Sequence, residues 1–445
     1  MKNLLILSLC ILVYSCSSKD NREIKIVGLL NDSGIAIAEL NINDSTYIDT
    51  IENGRFNFSI SDIKDNYIDL KLGEWIPLYV ENGDSIFIDY EKSKQIQFSG
   101  LGFEESKFLN DKRSLMIELG FDDPRKIDIA LYSSEPEIFI KRIDSVKQIR
   151  VNQLNDYHKF NPGISNSFYN TEMLLINYFW ISQQLGYPEF NEMLTKIKPE
   201  LPDNYYKFTN QIEPSNKELF KFNIYKEVLG SYLDFRAKEI NDKYTLAKKI
   251  FTEREIFEDI MFDKFNSHIN FNGIDGIDSI CSDFLATMKD KKRKNFLTEK
   301  YNSWSELAKG KKAPEFEIMD DKGKIVKLSD LHGKFVYIDC WSSFCGPCIK
   351  EMPEMKKLSE EFITKKIIFV SISADNDKEK WLSKIKEFKL TNTINLCTEG
   401  ATHKFHGDYN AKAFPRYILI DDKGYILDAT AGKPSMVKEE LEQLL

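Results

Sequence analysis

One segment near the C-terminal end constrains the fold more than any other part of this chain. An apolar run of buried-strand length, Phe335 to Cys340, is followed by Cys345–Cys348, which reads Cys-Gly-Pro-Cys. Beyond it, apolar residues recur at the three- and four-residue spacing of one helix face. The pattern therefore predicts that the first cysteine of this pair stands where a strand has ended and a helix begins.

A cysteine at the N-terminus of a helix has a defined chemistry. Unpaired backbone N–H groups and the positive end of the helix dipole favour the thiolate, the form that attacks a disulfide. A second cysteine one turn further on can resolve the mixed disulfide that forms. Gly346 permits the turn, and Pro347 is tolerated in the first helical turn, where no N–H is needed. These residues predict thiol–disulfide exchange at Cys345 and Cys348.

Other interpretations of this cysteine pair find less support in the sequence. A structural zinc site needs a second, suitably spaced Cys or His pair, and haem attachment needs a His where this chain has Ile349. A peroxiredoxin would carry a Pro where this chain has Ile338. A purely structural disulfide stays open as an alternative, although so small a ring stabilises a fold little.

The region around the pair alternates strands and helices. A second apolar run spans Ile367–Ser373, a helical face spans residues 349–362, and a hairpin is indicated around residues 421–424. This order predicts an α/β domain over residues 305–445 with parallel pairing at its centre.

In the first two thirds of the chain, apolar residues recur with two different spacings. Residues 23–102 alternate with period two, and Asn-Gly turns at Asn53 and Asn82 predict hairpins in a small antiparallel β-domain. Residues 103–303 have helical spacing, with aromatic stripes such as that of Phe168. Such stripes form the packed core of helices far more often than a ligand groove. We therefore expect a multidomain chain of β, helical and α/β parts.

The first 16 residues indicate export. Lys2 precedes the apolar run Leu4–Tyr14, which is too short to span a bilayer but fits a secretory signal. Ser15 and Cys16 end the run, an arrangement that resembles the bacterial lipobox, in which the Cys is lipidated. The alternative is ordinary cleavage near Ser15, with Cys16 lost or left as a free thiol.

The net charge and the number of cysteines argue against two other classes of protein, nucleic-acid-binding proteins and disulfide-stapled scaffolds. The net charge of −9, with no basic tract, argues against a nucleic-acid partner. Seven cysteines, two of them in the signal region, are too few for a disulfide-stapled scaffold. Cys281, Cys340 and Cys397 are expected to be buried thiols, with a Cys340–Cys397 disulfide as the alternative.

Two histidines, His403 and His406, are spaced three apart and suit a metal or haem. Without further ligands nearby in the sequence, a solvated loop is the expected interpretation. No cofactor and no metal site are predicted.

The cysteine motif also carries a family resemblance. Together with Trp341, the segment Cys345–Cys348 resembles thioredoxin. Ala313–Phe316, Leu328–Leu331 and Gly333-Lys334 resemble the corresponding segments of TlpA-like proteins and of the membrane-tethered reductases of cytochrome c maturation. The β-rich region resembles modules that precede thioredoxin domains in Bacteroidetes lipoproteins. The resemblance implies a thioredoxin fold for residues 305–445.

The resemblance also implies roles for individual residues. Cys345 takes the position of the nucleophile and Cys348 that of the resolving thiol. Asp339 and Glu351 match the acids found near the cysteines in these families, and we expect them to move protons. Ala413-Phe414-Pro415 matches the cis-proline loop. The residues expected to contact substrate are Trp341, Phe344, Gly346, Pro347 and Pro415.

Together these features predict a lipid-anchored disulfide reductase of the cell envelope whose catalytic domain faces the periplasm. Its expected partners are disulfide-bearing exported proteins, a membrane electron donor and the lipid bilayer. The alternative function is an interaction protein that uses the thioredoxin fold as a scaffold.

Overall fold

The computed structural model describes residues 23–31, 34–42, 45–61, 63–91, 96–121 and 128–445. The predicted signal segment and Cys16 lie outside these residues. Within this described part of the chain, no helix has the length and apolarity needed to cross a membrane.

The chain forms two compact units. The N-terminal unit extends to residue 213 and includes residues 218–232, and the C-terminal unit consists of residues 214–217 and 233–445. The sequence predicts a single helical domain over residues 103–303, whereas the structure divides that segment between the two units. Helical periodicity identifies helices, but it does not identify the unit against which each helix packs.

The N-terminal unit begins with eight described strands in two four-stranded sheets. The strands are β1 (Ile24–Leu30), β2 (Ile37–Ile42), β3 (Ser45–Thr50), β4 (Arg55–Ile60), β5 (Tyr67–Leu72), β6 (Glu74–Tyr79), β7 (Ser85–Tyr90) and β8 (Gln97–Leu101). One sheet has the order β4-β1-β7-β8 and the other β3-β2-β5-β6. Alternate residues of both sheets are buried in one shared hydrophobic core, among them Ile26, Leu40 and Leu70.

Two details of this region correct the predictions made from the sequence. The sheets are not wholly antiparallel, because β1 pairs with β7 in parallel. Asn53 and Gly54 do form a tight turn, with φ values of 51° and 71°. An antiparallel bridge between Glu52 and Arg55 closes this turn. However, the strands on either side of this turn, and those on either side of the Asn82-Gly83 turn, belong to different sheets, so neither turn joins two paired strands. Alternation with period two shows which face of a strand is buried, but it does not select the strand's partner.

Helices complete the N-terminal unit. They are α1 (Glu104–Leu119), α2 (Ile129–Tyr132), α3 (Pro136–Phe160), α4 (Asn166–Thr195), a 3₁₀ helix (Tyr205–Gln211) and the first part of α5 (Asn223–Arg236). Phe108, Leu154, Phe168 and Ile176 form one buried cluster with Tyr79 of β6. Phe168 of the predicted aromatic stripe therefore packs as core.

The C-terminal unit has helices before its sheet. These are α6 (Ile240–Ile250), α7 (Arg254–Asn272), α8 (Asp278–Thr287) and α9 (Lys291–Ser305). They are followed by β9 (Glu317–Asp320), β10 (Ile325–Lys327), a 3₁₀ helix (Leu328–Leu331), β11 (Phe335–Trp341), α10 (Gly346–Glu361), β12 (Ile367–Ser373), α11 (Lys378–Phe388), β13 (Ile394–Cys397), α12 (Lys404–Asp408), β14 (Arg416–Ile420), β15 (Ile426–Asp428) and α13 (Lys438–Leu444).

The sheet of this unit has seven strands in the order β10-β9-β13-β12-β11-β14-β15. β11 pairs with β12 in parallel, and β12 pairs with β13 in parallel, so the predicted parallel centre is confirmed. β14 joins β11 antiparallel and forms the predicted hairpin with β15. The sequence patterns did not identify β9, β10 and β13, which have only three or four residues each. Central strand β11 leads directly into the cysteine pair.

Candidate active site

The cysteine pair is at the junction of β11 and α10. Cys345 is the N-cap of α10, and its Sγ accepts a hydrogen bond from the Cys348 N–H at 3.2 Å. The two residues form a disulfide with an S–S distance of 2.00 Å and a Cα–Cα distance of 5.3 Å. Cys345 is partly exposed, whereas Cys348 is 1% exposed. A substrate can therefore reach the first sulfur but not the second.

The helix N-terminus adds an electrostatic contribution at Cys345. The backbone N–H of Cys348 already points at its sulfur, and the positive end of the α10 dipole lies beside it. Both favour the thiolate of the reduced pair over the thiol. Gly346 and Pro347 are exposed beside this sulfur, as a substrate-contacting position requires.

Two aromatic residues near the pair differ sharply in exposure. Phe344 is 78% exposed next to Cys345. Trp341 is 0% exposed, because it packs in a cluster with Cys348, Met352 and Trp381. The prediction that Trp341 contacts substrate is therefore wrong. Its side chain supports the buried sulfur from within the core.

The loop before β14 carries the predicted cis-proline. The Phe414–Pro415 peptide bond is cis, as predicted. Both residues are partly buried, and Phe414 packs against the same cluster as Cys345 and Cys348. This contact places the loop at the cysteine pair.

The residue after this proline reaches the helices of the same unit. Arg416 is 5% exposed, and its guanidinium donates to the backbone carbonyls of Asn270 and Phe271 at the end of α7, the latter at 3.3 Å. The guanidinium also lies 5.0 Å from the ring centre of Trp304 in α9. The sequence patterns did not identify Arg416, because its partners lie more than 100 residues away.

Asp339 is buried within β11. It is 2% exposed, and its Oδ1 has no hydrogen-bond partner among the described residues. Burial, with a smaller contribution from the charge of Glu351, raises the pKa of Asp339 to about 8. A carboxyl group with this pKa can take up and release a proton near neutral pH.

Glu351 lies on α10 and is bound by the segment before α13. Its carboxylate accepts hydrogen bonds from the N–H and the hydroxyl of Ser435, both at 3.1 Å, and pairs with Lys433 at 3.1 Å. It also contributes to the raised pKa of Asp339, so the two acids interact electrostatically.

The sequence patterns did not identify a third acid at the site, Asp375. This residue follows β12, is 3% exposed and accepts hydrogen bonds from Ser343, two residues before Cys345. An isolated Asp after a strand carries no sequence signal for such a contact, since the partners are 32 positions apart.

The three other described cysteines and His406 are buried within the fold. Cys281, Cys340 and Cys397 are buried and not in disulfides, so the alternative Cys340–Cys397 bridge is absent from this structure. His406 is 0% exposed, which differs from the predicted solvated loop. Its ring bonds to Thr398 Oγ1 at 2.8 Å and to the carbonyl of Ala411 at 3.0 Å. No group of three or more potential metal ligands occurs among the described residues.

A partly exposed sulfur that a substrate can reach, bonded to a buried sulfur that can displace it, has the chemistry of a thiol–disulfide oxidoreductase. The Redoxin family model matches residues 308–445. The thioredoxin domain of a thiol-disulfide oxidoreductase from Bacteroides vulgatus is 29% identical, with a TM-score of 0.29, covering 31% of this chain and 98% of that one.

Two curated relatives are more similar in sequence. Thioredoxin-like protein YneN of Bacillus subtilis is 32% identical over 141 residues, which cover 31% of this chain and 79% of the relative. Thiol-disulfide oxidoreductase ResA of Bacillus cereus is 32% identical over 136 residues, covering 31% of this chain and 76% of the relative. The chain belongs to this thioredoxin-like family of thiol–disulfide oxidoreductases, and its C-terminal region catalyses thiol–disulfide exchange.

Proposed function

We propose that this protein reduces disulfides of exported proteins, with Cys345 as the nucleophile and Cys348 as the resolving thiol. The observation that carries this assignment is the difference in exposure between the two bonded sulfurs at the start of α10. A large protein disulfide can approach a partly exposed sulfur, whereas a buried sulfur can react only with a partner already bound to its neighbour.

The reaction runs from the reduced form of the pair. The Cys345 thiolate attacks one sulfur of a substrate disulfide, and the other substrate sulfur leaves as a thiolate and takes up a proton. Cys348 then loses its proton and attacks the Cys345 sulfur of the mixed disulfide. The second substrate sulfur leaves as a thiol, and the Cys345–Cys348 disulfide forms. Two electrons pass to the substrate, so a dithiol donor must reduce the pair again.

Asp339 is suited to receive the proton from Cys348. Its pKa of about 8 lies near that of a thiol, so transfer in either direction is close to balanced. Glu351 supports this role through its charge, which disfavours ionisation of Asp339. Phe344, Gly346, Pro347 and Pro415 are the residues proposed to contact the substrate chain.

Replacing each cysteine by Ser tests the two roles. Cys348→Ser leaves a nucleophile that attacks but cannot be displaced, so reductant-sensitive mixed disulfides should accumulate on Cys345. Non-reducing electrophoresis and mass spectrometry of the trapped peptide measure this. Trapping on Cys345→Ser instead would reverse the assignment. The full chain should also catalyse reduction of insulin disulfides, whereas a protein that uses this domain only as a scaffold would not.

The cellular location is part of the same proposal. The sequence of the first 16 residues supports a lipid anchor at Cys16 that holds the catalytic domain in the periplasm, near a membrane electron donor. Mass spectrometry of the mature N-terminus should find an acylated Cys16. An unmodified N-terminus at another residue would show that the protein is not anchored in this way.

A further inference from the structure

The loop that leads to Cys345 is tied to the end of the neighbouring strand. The Ser343 N–H lies 3.0 Å from each carboxylate oxygen of Asp375, and the Ser343 hydroxyl donates to Oδ1 at 2.7 Å. Asp375 is 3% exposed and follows β12 by two residues. One buried carboxylate therefore accepts hydrogen bonds from both the backbone N–H and the hydroxyl of Ser343.

The carboxylate is itself held in place. The Ser373 hydroxyl, at the end of β12, donates to Asp375 Oδ2 at 2.7 Å, and it accepts the Asp375 N–H at 3.0 Å. The thiol of Cys397 donates to the backbone carbonyl of Asp375 at 3.3 Å. The acceptor is thus fixed by β12 and by β13, two central strands of the sheet.

The geometry transmits this restraint to the reactive sulfur. Ser343 precedes Cys345 by two residues, a distance of at most about 7 Å along the chain. The Cys345 N–H donates to the carbonyl of Ser342 at 3.1 Å, so the turn between the anchored residue and the cysteine is closed. A shift of Ser343 would therefore move Cys345 as well.

We propose that Asp375 is a positioning residue for disulfide exchange, whose carboxylate fixes the loop that presents Cys345 to the substrate. The proposal rests on the proposed role of Cys345 as nucleophile. In the competing explanation, Asp375 only completes the end of β12 and contributes to stability, without any effect on the reactivity of the folded protein.

The test compares Asp375→Ala with Asp375→Asn in the full chain. Ala removes every acceptor, and kcat/KM for dithiothreitol-driven reduction of insulin should fall about tenfold, since small displacements of reacting groups are costly. Asn keeps an acceptor for the Ser343 N–H and should restore kcat/KM to within about threefold of the wild type. Asp377→Asn, which alters an exposed cap of α11 and leaves the Ser343 contacts in place, is the matched control and should remain near the wild-type value.

A second measurement detects the charge of Asp375. A negative charge near Cys345 disfavours its thiolate, so both Asp375 variants should shift the equilibrium with glutathione toward the reduced protein. Ser343→Ala keeps the charge and should leave that equilibrium unchanged, while lowering kcat/KM. A purely structural role would leave kcat/KM of the folded molecules unchanged, even where loss of the charge shifts the equilibrium with glutathione.

The proposal is overturned if folded Asp375→Ala equals the wild type in kcat/KM, or if Asn is as impaired as Ala in kcat/KM. Should Asp375→Ala fail to fold, the Asn and Ser343→Ala variants decide, and wild-type behaviour of both would reject the proposal. Cys345→Ser is measured alongside. If it stays active, the proposed nucleophile is wrong, a result that is separate from any effect of Asp375.

Discussion

Asp339 shows how burial, as the largest cause, shifts the pKa of one residue. In the folded chain its pKa is raised to about 8, whereas in an unfolded chain a carboxyl of this kind has a pKa of about 4. The folded state therefore binds the proton more tightly. The contribution of Asp339 to stability is complete below about pH 4 and is lost as the pH rises toward 8.

From this we predict that Asp339→Asn gains stability relative to the wild type as the pH rises. The expected gain is at most about 1.4 kcal/mol per pH unit between the two pKa values. Denaturant unfolding of the oxidised protein at pH 5 and pH 8 measures it. Asp377→Asn, an exposed cap of α11 whose pKa is lowered, serves as control and should show no such gain. A stability difference that does not depend on pH would contradict the pKa shift.

At the scale of single elements, α10 combines two roles. Its first turn carries Cys345 and Cys348, and its next turn carries Glu351, which the segment at Lys433 and Ser435 holds in place. Because the charge of Glu351 contributes to the raised pKa of Asp339, helix α10 tunes an acid on β11 as well as carrying the reactive pair.

We therefore expect Glu351→Gln to lower the pKa of Asp339 from about 8, since the repelling charge is lost. The pH at which Cys348 reactivity reaches half its maximum should move with it, which alkylation of the reduced protein followed by mass spectrometry measures. Glu354→Gln, three residues further along α10, is the matched control. The proton-transfer role of both acids would be wrong if Glu351→Gln and Asp339→Asn left thiol titration and turnover unchanged from acid to alkaline pH.

At the scale of the whole molecule, the catalytic unit is larger than the family match. The match covers residues 308–445, whereas the compact unit consists of residues 214–217 and 233–445 and includes α6 to α9. Arg416, the residue after cis-Pro415, joins β14 to α7 and α9. The helices before the family match are thus packed against the loop that flanks the cysteines.

This arrangement predicts that Arg416→Met destabilises a fragment of residues 233–445 by about 2 kcal/mol, because the charged hydrogen bonds to two backbone carbonyls at the end of α7 are lost. In a fragment of residues 305–445 the partners Asn270, Phe271 and Trp304 are missing, and the same change should cost much less. Thermal unfolding of the four proteins measures the difference, with Lys412→Met, an exposed site nearby, as control. Equal costs in both fragments would show that the contact contributes nothing.

The sequence by itself determined the local features of the active site. The apolar run of β11, the Cys-Gly-Pro-Cys motif and the helical spacing after it place a reactive pair at a helix N-terminus, and the structure confirms this junction. The bounds of β12 also agree with the predicted run Ile367–Ser373. These features depend on residues that are close together in the chain. Their backbone preferences and the spacing of their apolar side chains can be obtained directly from the sequence.

Only the tertiary structure decided which distant residues meet. It assigned the strands on either side of each Asn-Gly turn to different sheets, buried Trp341 beside Cys348, and brought Asp375 to Ser343. It also placed α6 to α9 in the unit of the catalytic sheet and not in the N-terminal unit. Many segments of the chain could pack on the same apolar face or form hydrogen bonds with the same buried polar group. Which segment does so depends on how the whole unit packs.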